Sequence, residues 1–134
     1  MKIFVLGILL LGLSCNSTKK TMTMEEAMTE LSGVFTIDQL GGKNVSDQSM
    51  TLSLDPETAA MQGSSSCNKL FGTYYAEGDT VSFTGIGSTK MYCEGKMDTE
   101  KDFMQALQAA NKFKLNGNKV TLLKDNTVLL TLTK

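Results

Sequence analysis

The sequence predicts an α+β fold, mainly antiparallel β. The expected form is a seven- to eight-stranded curled sheet or partly closed barrel with one helix inserted before the last three strands. Three observations carry this. Apolar and polar residues alternate over many short runs, turn formers such as Asp55-Pro56 and Asn116-Gly117 separate the runs, and one segment alone changes to clear helical spacing. A chain of 134 residues has room for a single such domain.

Taken in order, Lys2 precedes an apolar run, Ile3 to Leu13, broken only by Gly7 and Gly12. A bilayer span needs about 20 residues, so this shorter run has the form of the hydrophobic region of a secretory signal. Residues 1–14 are expected to be a signal peptide. The sequence Leu11-Gly-Leu-Ser14-Cys15 resembles the lipobox cut by the bacterial lipoprotein signal peptidase, with Gly12 where leucine is usual. Cys15 is therefore expected to be lipidated; the competing reading is an ordinary signal with an incidental cysteine. Asn16 to Met24 is polar and aperiodic, and residues 15–32 are expected to form the lipidated N-terminus and a flexible tether. Within it, Glu25 to Leu31 has the makings of one or two helical turns. The domain proper is expected over 33–134.

Period-two alternation begins after Gly33. Phe35 to Leu40 makes a first strand, stopped by Gly41-Gly42, and Met50 to Leu54 a second. Asp55-Pro56-Glu57-Thr58 is a turn signal whose hairpin partner is Ala59 to Gly63. Gly72 to Ala76 and Val81 to Phe83 flank the turn Glu77-Gly78-Asp79, and Ile86 to Cys93 reads as a further extended segment. Thr99 to Ala110 is the one strongly periodic helix. Asp98 or Thr99 is its expected cap, and Phe103, Met104, Leu107 and Ala110 form one apolar stripe. Phe113 and Leu115 then lead into Asn116-Gly117, a strong hairpin signal, and two last strands enclose Asp125-Asn126. The helix would cover an opening in the curled sheet.

Composition excludes several function classes. The chain has no histidine, which removes Ser-His and Cys-His nucleophile pairs and imidazole metal ligands. It has no arginine, and its lysines are scattered singly. A nucleic-acid binder would show a basic stripe, so no nucleic-acid partner is expected. Asp98, Glu100 and Asp102 lack the glycine and closing glutamate of a calcium loop and read as helix-start charges. No catalytic set, metal site or cofactor is expected, and the protein is expected not to be an enzyme.

Three segments, in order, resemble the META domain family of HslJ type. They are Gly63-Ser-Ser-Ser-Cys67-Asn68-Lys69-Leu70-Phe71-Gly72-Thr73-Tyr74, then Ser88-Thr89-Lys90-Met91-Tyr92-Cys93, then Glu100 to Leu107 with Phe113 to Leu123. The resemblance covers roughly Gly33 to Lys134. Ser66 departs from it by standing where the family usually has glycine, Phe35 where tryptophan is frequent, and Lys90 where arginine is common.

The family's paired cysteine motifs and an oxidising compartment suggest a disulfide between Cys67 and Cys93. Two buried thiols and a redox-active pair remain as alternatives, the last disfavoured because there is no Cys-x-x-Cys spacing. Asn68 is expected to bond to nearby backbone in an Asx-type turn rather than to a ligand. Tyr74, Tyr75 and Tyr92 could line a pocket mouth, although alternation turns only one of Tyr74 and Tyr75 inward. The candidate binding residues are thus Asn68, Tyr74, Lys90 and Tyr92.

The resemblance implies a non-enzymatic envelope lipoprotein, a binding or stress-protective module, because relatives are linked to heat shock, drug tolerance and virulence. Its expected partners are the membrane, through the lipid anchor, and an unidentified envelope protein. The expected place is the periplasmic face of the outer membrane. Two other functions stay open: a carrier of a small apolar ligand in a lipocalin-like barrel, and an accessory or inhibitor domain for a secreted enzyme. A large apolar cavity inside the sheet would favour the carrier.

Overall fold

Nine strands pair edge to edge in one antiparallel sheet in the computed structural model, which describes residues 20–134. The expected signal peptide and Cys15 lie outside the described residues. Helix α1 (Met24–Glu30) comes first. It is followed by β1 (Gly33–Leu40), β2 (Lys43–Asn44), β3 (Thr51–Asp55), β4 (Ala60–Ser64), β5 (Lys69–Glu77) and β6 (Thr80–Ser88). Helix α2 (Met97–Ala109) stands before β7 (Lys112–Asn116), β8 (Lys119–Lys124) and β9 (Thr127–Thr133). The strand beyond the expected seven or eight is β2, two residues that fold back over Gly41-Gly42 onto the end of β1.

The sheet closes on itself because β1 serves two neighbours. Its first half pairs with β3, Phe35 opposite Leu52, and its second half with β9, Leu40 opposite Leu130. A register shift between Ile37 and Gln39 bends the strand from one partner to the other. The ring is not a regular barrel. β6 and β7 share only the pair Thr80–Lys112 and then diverge, and α2 occupies the opening beside β6.

Alternation sends one face of each strand inward. Phe35, Ile37, Leu52, Met61, Leu122 and Leu130 are fully buried there, and Phe103 and Leu107 join them from α2. The interior is filled by the chain's own side chains. A lipocalin-like ligand chamber is therefore not what this ring provides.

The tether expected through residue 32 ends about ten residues earlier. Thr23 Oγ1 accepts from the Glu26 amide (3.2 Å) and the Glu26 carboxylate accepts from the Thr23 amide (2.9 Å), a reciprocal cap that starts α1. Ala27, Met28 and Leu31 then share one apolar face, which is buried against β5. The Gly78 amide donates to the Met22 carbonyl (2.9 Å), so the folded unit begins near Met22. Amphipathic spacing over so short a helix becomes decisive only once β5 supplies a surface to receive it.

Two boundaries near α2 also differ from expectation. The helix starts at Met97 without a side-chain cap, because a turn closed by the Lys96 amide on the Cys93 carbonyl (3.1 Å) leads straight into it. The extended segment expected over Ile86 to Cys93 is divided. β6 continues to Ser88, Thr89 still bonds to Lys69 of β5, and Lys90 to Cys93 leave the sheet. No helix among the described residues is long and apolar enough to cross a membrane.

Candidate functional site

The chain between β4 and β5 makes a tight turn held by Ser65. Its amide donates to the Asn68 carbonyl (3.0 Å), and its buried hydroxyl accepts from the Asn68 amide (3.1 Å). The turn forces Ser66 to φ +69°, the left-handed region that favours glycine. Its Oγ is buried without a hydrogen-bond partner. Cys67 follows, and its sulfur is bonded to that of Cys93 (S–S 2.06 Å, Cα–Cα 6.0 Å). Of the three cysteine readings, the disulfide is the one present.

Asn68 departs from the expected Asx-type turn. Its side chain is buried and bonds not to its own loop but across about twenty residues and more of chain. Oδ1 accepts from the Thr89 hydroxyl (2.9 Å) and the Met91 amide (2.8 Å). Nδ2 donates to the Met91 carbonyl (2.9 Å) and to Glu100 Oε2 (2.8 Å). Two donor protons and two acceptor positions are all used, which also determines which way the amide points. The backbone of Met91 is thus held by a side chain where a strand would have held it. This is the physical reason that β6 stops at Ser88.

Glu100 is one of the three residues read from the sequence as helix-start charges. Asp98 and Asp102 are exposed, but Glu100 is only 5% accessible and lies on the buried side of α2 with Phe103 and Leu107. Spacing i, i+3, i+7 from residue 100 was visible in the sequence. A glutamate is rarely buried without a partner, and that general rule concealed its place on the stripe.

Between the segment Ser88 to Tyr92 and the outer flank of α2 lies a groove of about 440 Å³. Glu100 and Asn68 lie at it, Met91, Met97 and Met104 contribute thioethers, and Lys90 and Lys101 stand on its rim. Tyr92, also on the groove, is 78% exposed. The structure therefore brings together three of the four candidate binding residues: Asn68, Lys90 and Tyr92.

The fourth, Tyr74, is elsewhere. It is buried in the core, its hydroxyl donates to the Met28 carbonyl (3.2 Å) and its ring stacks on Phe83 (6.4 Å between centroids). Burial, with the charge of Asp55 adding to it, pushes its pKa up to about 12. The neighbouring Tyr75 faces outward and donates to the Glu77 carboxylate (2.7 Å), which raises its pKa as well. Among the described residues no group of three or more His, Cys, Asp or Glu side chains could hold a metal ion.

The two cysteine-bearing segments that Asn68 and the disulfide join are those on which the resemblance rests. The model of the META domain matches residues 26–134. The chain belongs to the META domain family. The match begins inside α1, in keeping with a META domain that includes that helix.

The fold recurs in solved structures. One, the NMR structure of a protein from Burkholderia xenovorans, is 23% identical over 85% of this chain and 89% of that one, with a TM-score of 0.63. The crystal structure of a DUF4847 family protein from Bacteroides vulgatus is 15% identical over 76% of this chain and 92% of that one, with a TM-score of 0.54. No curated protein matches the chain. In this META domain, Ser66 occupies a position whose backbone angle suits glycine.

Proposed function

We propose that this META domain is a non-enzymatic binding module, with stress protection at the cell envelope as its role and the groove beside the Cys67–Cys93 disulfide as its working surface. The observation that supports the reading is the groove itself: a buried carboxylate and a fully bonded asparagine sit behind the half-buried Met97 and Met104, the exposed Met91 and an exposed tyrosine. The disulfide and Asn68 hold one wall to the other before any ligand arrives, which lowers the ordering cost of binding. The filled ring interior turns attention away from an internal carrier site.

The test uses methionine methyl groups as reporters. With methyl-labelled mature protein, an extract of envelope small molecules should shift the resonances of Met91, Met97 and Met104 while those of the core residues Met50 and Met61 stay in place. Uniform shifts, or none at the groove, would refute the groove as the working surface.

The same proposal places the domain at a membrane through an acylated Cys15, facing the periplasm from the outer membrane. Cys15→Ala should move the protein from the detergent phase to the aqueous phase in a detergent partition assay, or leave an uncleaved precursor. A mutant with unchanged partitioning and unchanged mature mass would remove the anchor from the proposal.

A further inference from the structure

Glu100 presents one carboxylate oxygen that the fold leaves without a donor. Oε2 accepts from Asn68 Nδ2 (2.8 Å), whereas Oε1 has no hydrogen-bond partner among the described residues. No cation compensates the charge either: the ion pair found among the described residues is Lys20–Glu26, far along the chain. Lys90 and Lys101 are exposed on the groove rim and make no ion pair with Glu100 there. The start of α2 supplies partial positive charge, which steadies a carboxylate but does not give Oε1 a hydrogen bond. Glu100 is only 5% accessible, yet Oε1 is not sealed from solvent and opens on the groove.

We infer that the groove takes a small monocation, a primary ammonium on an apolar body, whose N–H groups donate to Glu100 Oε1. The inference rests on the groove being the binding surface and names the chemistry that it selects. An ammonium is a compact donor with three protons, suited to a carboxylate oxygen that opens on the groove. Met91, Met97 and Met104 offer adaptable, polarizable surface to the apolar body. Tyr92 adds an aromatic face attractive to a cation. The rim lysines oppose any cation and a second positive charge more strongly, so the groove favours a monocation over a polyamine.

The experiment titrates the mature chain carrying Cys15→Ser with n-hexylammonium, hexan-1-ol and hexanoate, read by the methyl resonances of Met91, Met97 and Met104. Hexylammonium should bind at least about tenfold more tightly than hexanol, the range of a charge-assisted hydrogen bond. Glu100→Gln, which keeps an acceptor for Asn68, should abolish that preference and bring the two affinities together. Met104→Lys puts a tethered ammonium one helical turn from Glu100 and should block hexylammonium. It is also the deciding variant if Glu100→Gln does not fold. Equal binding of hexylammonium and hexanol, or a preference that survives Glu100→Gln, would overturn the ammonium inference while leaving the groove as a binding surface. Tighter binding of hexanoate would overturn it in favour of the rim lysines. If no probe moves these methyls, the inference fails, and the groove stands or falls by the envelope extract.

Discussion

Ser66 carries two unfavourable features at one residue, a left-handed backbone and a buried hydroxyl with no partner. Ser66→Gly should remove both and raise unfolding stability by about 0.5–1.5 kcal/mol, the larger entropy of unfolded glycine offsetting part of the gain. Denaturant titration of the two proteins measures it. Asn68→Ala should act in the opposite direction. It strands Glu100 Oε2 and the Met91 backbone groups, and should cost about 2–4 kcal/mol. Tyr74 gives a pH dependence. Its phenol stays neutral in the folded protein up to about pH 12, whereas it ionises near pH 10 when unfolded. The neutral form is the one favoured by folding, so its stabilising contribution is complete below pH 10 and is lost as pH rises towards 12. Tyr74→Phe should therefore show a shallower fall in stability between pH 10 and 12 than the parent, as measured by urea unfolding at fixed pH.

The element that decides the groove is α2, and its energetics rest on a few positions. Leu107 and Phe103 are fully buried against the sheet while Lys101 and Gln105 are exposed. Leu107→Ala should cost about 2–5 kcal/mol through lost burial and a cavity. Alanine at Lys101 or Gln105 should change stability by less than about 0.5 kcal/mol. A thermal melt of each variant checks both halves of the expectation. If Leu107→Ala melted like the parent, α2 would not be part of the core. The stripe of Phe103, Leu107 and Ala110 was legible because its period is local. The helix start was not: it depends on the turn after Cys93, whose direction the disulfide and the Asn68 contacts set. α1 was legible as helical turns but not as a packed element, since its receiving surface on β5 lies more than forty residues away.

Across the whole molecule, the disulfide ties the β4–β5 turn to the segment ahead of α2 with a sequence separation of 26. The chain-entropy model gives about 3–4 kcal/mol for a loop of that length. The double variant Cys67→Ala, Cys93→Ala should lose stability of this order and loosen the Thr89–Tyr92 wall, seen as faster amide exchange at Met91. Its melting point, compared with that of the oxidised parent, provides the measurement. The sequence by itself determined the strand runs, the turns between them, the inserted helix and the family, because each is written in short-range periodicity or in fixed spacing. It also determined what chemistry is missing, since a chain without histidine closes off imidazole chemistry in any fold. Only the tertiary structure decided how β1 closes the ring by pairing with both β3 and β9, and that Asn68 spends its amide on Met91 and Glu100. It also decided that a glutamate on the apolar stripe is buried and bonded to Asn68. These are contacts between residues distant in the chain, and a partner brought by folding leaves no mark on the residues beside either one.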